Sequence, residues 1–191
     1  MYEEQELRRQ EAGIAECRLC ELWNTRNKPV FGEGALSARI MLIGEAPGYY
    51  EDLHGRPFVG KAGKVLDELL NSIGLVRAEV YITNILKCRP PGNRNPAVAE
   101  IKACTPYLDA QMRIIDPDVI VTLGNFSLTY IFDKLGLKPE KISKIHGKVF
   151  TVSTITGIKR LTPLYHPAVA TYNPGMKTVL LTDFKALKDF V

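Results

Sequence analysis

Three short apolar runs, Ile40 to Ile43 in "SARIMLIGEAPG", "AEVYITN" and "PDVIVTLG", each reach a glycine or asparagine and are each followed, directly or after a loop, by a helix-like segment. Apolar runs bounded by turn residues read as strands. In "KAGKVLDELLNSIG", Val65, Leu66, Leu69, Leu70 and Ile73 share one helical face, and Gly74 is the stop. Pro96 to Ile115 reads as helical with a stripe of Val98, Ile101, Leu108 and Met112, and Pro106 is expected to kink or divide it. "NFSLTYIF" starts a further helix, and Met176 to Phe190 is amphipathic through Met176, Leu180, Phe184 and Leu187. "GKVFTV" and "KRLTPLY" read as strands paired around Gly157. Strands alternating with helices imply a parallel sheet covered on both faces. The expected class is α/β: a three-layer α/β/α sandwich on a central, mostly parallel four-stranded sheet. With no repeat or linker, residues 1–191 read as a single domain.

No apolar run approaches the ~18 residues of a membrane span, and "MYEEQELRRQEAG" lacks the apolar core of a signal peptide. The expectation is an intracellular, cytoplasmic protein of prokaryotic type with no membrane partner. A net charge of +4 permits a basic nucleic-acid face without demanding one.

The chain has four cysteines, Cys17, Cys20, Cys88 and Cys104. An intracellular setting argues against disulfides. Cys17-x-x-Cys20 has the spacing of a metal knuckle, and the other two complete a four-thiolate set. Cysteine count alone does not separate zinc from iron–sulfur.

In a parallel α/β sheet ligands gather at the carboxyl ends of the strands. The first strand ends in Gly44-Glu45-Ala46-Pro47-Gly48, which is not a dinucleotide fingerprint and places a carboxylate where a phosphate loop avoids one. The second ends in Asn84, both donor and acceptor, and the last in His166 followed by Pro167. Phe58 lies in a loop bounded by Gly55 and Gly60. His54 and His146 lack comparable context and read as surface or structural residues.

"CRLC", "GEAPGYYED", "GRPFVGKAGKVLDELL", "YITNILKCRPPGNRNP", Cys104 and "LYHPA" together resemble the iron–sulfur, family 4 uracil-DNA glycosylases over nearly the whole chain. The resemblance implies the uracil-DNA glycosylase fold and a monofunctional base-excision repair enzyme. It would hydrolyse the N-glycosidic bond of uracil in double- or single-stranded DNA, releasing uracil and leaving an abasic site. It also implies one structural [4Fe–4S] cluster per chain on Cys17, Cys20, Cys88 and Cys104. The uracil pocket would comprise Gly44, Glu45, Ala46, Phe58, Asn84 and His166, with Glu45 and His166 catalytic. Phe58 would stack on the base and Asn84 would read its polar edge. DNA-contact candidates are Arg89, Arg94 and Tyr172. The loop after "HPA" reads Val169-Ala170-Thr171-Tyr172-Asn173-Pro174 and lacks the leucine and arginine often found there, so Tyr172 is the stacking substitute. A monomer is expected, and no motif identifies a sliding-clamp partner. Two other classes stay open on the thiols and sheet: a zinc-stapled nucleic-acid-binding module, and an iron–sulfur electron carrier on a flavodoxin-like sheet.

Overall fold

The computed structural model describes residues 2–190. Its centre is four parallel strands: β2 (Ile40–Gly44), β3 (Tyr81–Asn84), β4 (Val119–Leu123) and β6 (Gly157–Leu164). Two antiparallel edge strands, β1 (Glu33–Gly34) and β5 (Phe150–Thr154), extend the sheet to six in the order β1-β3-β2-β4-β6-β5. The expected count of four is too low: the five segments read as strands are β2, β3, β4, β5 and β6, of which four form the parallel centre. The two-residue β1 has no apolar pattern to read. β5 pairs with β6 about Gly157, whose φ of +117° suits a residue without a Cβ.

Side-chain alternation along the strands divides the core in two. Met41, Ile43, Tyr81, Ile120 and Leu161 face one layer; Ile40, Leu42, Ile82, Val119 and Val121 face the other. The first layer holds α4 (Val98–Ile115), α5 (Asn125–Lys134) and the short α6 (Ile142–Ile145). The second holds α3 (Lys61–Asn71), through Leu66, Leu69 and Leu70, and α8 (Gly175–Phe184), through Leu180 and Phe184. The three-layer sandwich is therefore present. α1 (Tyr2–Ala15) packs on α4 and buries only Ile14.

Pro106 does not divide α4, which runs 18 residues through it. A mid-helix proline costs ~3 kcal/mol, and the buried face of Cys104, Leu108, Gln111 and Ile115 offsets it. That face also corrects the expected stripe, because Val98 is exposed at the helix start.

Candidate functional site

Four parallel strands bring their carboxyl ends to one edge of the sheet. Gly44 is in register with Asn84, and Leu123 with Leu164, two residues before His166. The carbonyls of Gly44 and Glu45 accept from the Ile85 and Leu86 amides at 3.1 and 3.0 Å, so the ladder fixes the backbone beyond the strands. Gly124, at φ +97°, lets β4 turn into α5 close to the histidine: a Cβ there would lie 3.3 Å from His166 Cβ.

Phe58 comes from the loop between α2 (Tyr49–His54) and α3. Its ring stacks on His166 with centroids 5.4 Å apart and planes 25° from parallel. A Cβ on Gly44 would lie 2.7 Å from Phe58 Cζ and would overlap Asn84 Oδ1. Gly44, Phe58, Asn84 and His166 therefore converge, and only glycine fits between the aromatic and the amide. Phe58 has φ +52°, a left-handed conformation that costs a side-chain-bearing residue ~1–2 kcal/mol. Two neighbours hold it there. Glu51 Oε1 accepts from the Val59 and Gly60 amides, each at 2.8 Å. Arg77 donates to the Pro57 and Phe58 carbonyls at 2.6 and 3.1 Å, and is itself paired with Glu33 and Asp67.

His166 Nδ1 accepts from the Ala168 amide at 3.2 Å. In a neutral ring that leaves the proton on Nε2 as a donor. Burial pushes the His166 pKa down to about 4, against an opposing pull from the Glu51 carboxylate. Asn84 is buried, and its Oδ1 has no hydrogen-bond partner among the described residues. A buried acceptor left unmade is costly and points to a ligand donor. The half-buried Glu45 has a pKa raised by burial. Ala46 packs on the first core layer.

Cys17, Cys20, Cys88 and Cys104 line a single cavity, with Ile14, Leu22, Trp23 and Tyr107 among its apolar walls. Among the described residues, no three His, Cys, Asp or Glu side chains close on one point as a single ion would hold them. Arg26 Nη1 donates to Cys88 Sγ and the Lys87 amide to Cys104 Sγ, both at 3.2 Å. Burial pushes the Cys104 thiol up to about 12, against the opposing pull of Lys87. Between the thiols and Asn84 lies Lys87, 1% exposed, whose Nζ donates to Thr83 Oγ1, the Asn84 carbonyl and Gln111 Oε1 at 2.6, 2.7 and 2.6 Å.

Of the DNA-contact candidates, Arg89 stacks on Tyr49 at 5.2 Å and donates through Nε to Asn93 Oδ1, with no carboxylate partner among the described residues. Arg94 is held differently: its guanidinium forks onto Glu100 at 2.9 and 2.6 Å, tying the loop to α4. Tyr172 ends α7 (Val169–Tyr172) and is 74% exposed. His146 is structural, as expected, bonded to Asp183 at 2.8 Å and tilted against Tyr165. Glu51, Arg77, Lys87 and Arg26 escape sequence reasoning because their roles depend on long-range contacts. Glu51 stands in plain view in "GEAPGYYED", but its partners lie in the next loop.

The family model described as "Uracil DNA glycosylase superfamily" matches residues 31–188. The chain is 51% identical to a protein named type-4 uracil-DNA glycosylase from Saccharolobus solfataricus, covering 92% of this chain and 82% of the other. It is 46% identical to one of the same name from Archaeoglobus fulgidus, covering 91% and 87%. A third so named, from Thermotoga maritima, is 41% identical over 93% and 91%.

Proposed function

This chain belongs to the uracil DNA glycosylase superfamily, and we propose that the Gly44, Phe58, Asn84 and His166 constellation is its uracil pocket. The enzyme acts in DNA base-excision repair as a monofunctional glycosylase: it hydrolyses the N-glycosidic bond, releases uracil and leaves an abasic site. A target inside a duplex must be extruded before the bond is reached. The single observation that carries the pocket is the orphaned Asn84 Oδ1, buried beside Phe58 and Gly44. Uracil N3–H supplies its missing donor, and the amide nitrogen donates to O4. Cytosine offers the opposite polarity and leaves buried groups mismatched. Phe58 stacks on the base. Heterolysis places negative charge on the base and positive charge on the sugar. His166 Nε2–H stabilises the charge developing at O2, which a neutral ring with a fixed tautomer suits. Glu45, whose carboxylate has no polar side-chain partner among the described residues, orients water or stabilises the sugar cation. Tyr172 stands ready to fill the emptied stack, and Arg89 to meet a phosphate.

Cys17, Cys20, Cys88 and Cys104 would hold a [4Fe–4S] cluster, the donor set of soft thiolates that such a centre takes. When bound, the cluster supplies a cross-link; the hydrolysis itself needs no redox step. The four thiols line one cavity, and in such a centre each thiolate would take its own iron. A single zinc would draw all four sulfurs to ~2.3 Å of one ion. The Arg26 and Lys87 donors on sulfur are the outer contacts expected around ligating thiolates. Anaerobic purification, an absorbance spectrum and a uracil-release assay test both halves of the reading. Base release without a visible chromophore separates the pocket from the cluster. A chromophore without base release overturns the enzyme.

A further inference from the structure

Tyr49 and Tyr50 are each 53% exposed, on a six-residue helix whose one buried residue is Asp52. Their rings meet edge-on, with centroids 5.4 Å apart and planes at 82°. The Arg89 guanidinium covers Tyr49 at 5.2 Å. The fold's own packing does not account for two large rings left half in water. Both acids of α2 are engaged by the fold: Glu51, whose carboxylate lies beside Tyr50 at Gly60, binds the Val59 and Gly60 amides, and Asp52 binds Asn27. The exposed side chains of α2 are Tyr49, Tyr50, Leu53 and His54, and the charge set against the two tyrosines from outside the helix is the Arg89 guanidinium.

The patch stands at the rim of the pocket. A Cβ on Gly60 would lie 3.5 Å from Tyr50 Cδ2, so this ring abuts the loop that carries Phe58. Arg89 belongs to the loop that follows Asn84. The two tyrosines and the arginine thus bridge the loops on either side of the base site. We propose that Tyr49, Tyr50 and Arg89 form a stacking platform for an unpaired base next to the extruded nucleotide, so that this surface binds single-stranded DNA flanking the lesion. The inference rests on the pocket reading above. Bases along one strand are spaced by ~3.4 Å, so a strand with one base in the pocket carries its neighbours across this rim. Every base has a π face, which makes such a platform tolerant of sequence. The guanidinium adds cation–π attraction and outward donors for a phosphate.

The test uses single-stranded oligonucleotides with one uracil and 2-aminopurine either 5′ or 3′ of it. With the intact protein, binding is expected to quench the fluorophore on one side. Replacing both tyrosines (Tyr49→Ala, Tyr50→Ala) is expected to abolish that quench. It should weaken oligonucleotide binding by roughly 5- to 150-fold, the range of one base–aromatic stack, and leave the affinity for free uracil unchanged. Tyr49→Phe and Tyr50→Phe are expected to retain both binding and quench. Arg89→Gln is expected to reduce the log–log salt slope by ~0.7, one single-strand phosphate contact. Unchanged oligonucleotide affinity and quench in the double alanine variant overturn the platform. So does a parallel loss of free-uracil binding, which makes the tyrosines scaffold for the pocket. An intact protein that releases no uracil overturns the pocket reading and the platform with it, and is read on the unmutated chain alone.

Discussion

At neutral pH the His166 ring is uncharged, because burial holds its pKa at about 4 rather than the 6.5 of an ordinary imidazole. Between those two values the unfolded chain binds the proton and the folded one does not. Stability from this residue is therefore complete above 6.5 and is lost as pH falls towards about 4. The same sign governs activity if the neutral ring is the donor to O2. In Glu45→Gln, the remaining acid limb of single-turnover excision is expected near pH 4; a limb near 6.5 means the catalytic ring is an ordinary, solvated one. Replacing His166 by Ala is expected to slow excision by roughly 100- to 1000-fold, the loss for one oxyanion donor, with DNA affinity kept. A loss below fivefold makes the histidine a bystander. Asn84→Asp sets a carboxylate against O4, and excision should fall by ~30- to 1000-fold. The parental rate in that variant means Asn84 does not read the base. These residues were legible in sequence because each stands at a strand end in a recognisable motif. The tautomer of His166 was not, since it depends on one amide two residues on.

The segment from Asn84 to Arg94 carries the amide of the proposed pocket, a buried lysine, a cavity cysteine and the arginine of the proposed platform. Its order comes from contacts that no local pattern announces. Lys87 fixes the Asn84 carbonyl from behind while its own amide meets Cys104. Lys87→Met would remove one donor from Thr83 Oγ1, Gln111 Oε1 and that carbonyl, leaving Gln111 Oε1 the Thr83 hydroxyl at 3.1 Å. Burial pushes the Lys87 pKa down to about 7, so the donor is only partly charged at neutral pH; with ordinary hydrogen bonds contributing ~0.5–1.5 kcal/mol each, a loss of ~2 kcal/mol is expected. Free-uracil affinity should fall as well, because Asn84 loses its support; calorimetry and thermal melting check the two effects separately. If both stay at parental values, Lys87 is only filler. Elsewhere the helix α3 was legible to its stop, because its apolar face and Gly74 are local signals. α4 was less so. Pro106 signalled a break that the packing overrides, and Val98 fitted the period but lies at an exposed end.

Across the whole molecule, the parallel centre of the sheet was readable from strand–helix alternation, whereas β1 was not: two residues, Glu33 and Gly34, paired to β3, carry no pattern. The same division between local and distant information bears on the thiols. Cys17 and Cys20 follow α1, Cys88 lies beyond β3, and Cys104 is on α4, so a cluster would join three elements far apart in sequence. α1 buries only Ile14 fully and is otherwise held by its packing on α4, by Leu7 and by Arg26 on the Ala15 carbonyl. The second core layer, by contrast, which joins α3 to the other face of the central strands, contains no cysteine. Removing the cluster is therefore expected to loosen residues 2–26 and 84–95 in hydrogen exchange while β2, β4 and α3 stay protected. Treating the join between Cys20 and Cys88 as a cross-link closing a long loop, its release costs about 4 kcal/mol by the chain-entropy relation. For a chain of this size that lowers Tm by roughly 10 °C. Protein purified anaerobically from iron-replete cells is expected to hold about four irons and four sulfides per chain. Stoichiometric zinc with no iron would sink the cluster. Equal melting and exchange with and without iron would leave it bound but without a structural role, and the rigidity of the Asn84 loop would then rest on Lys87 alone.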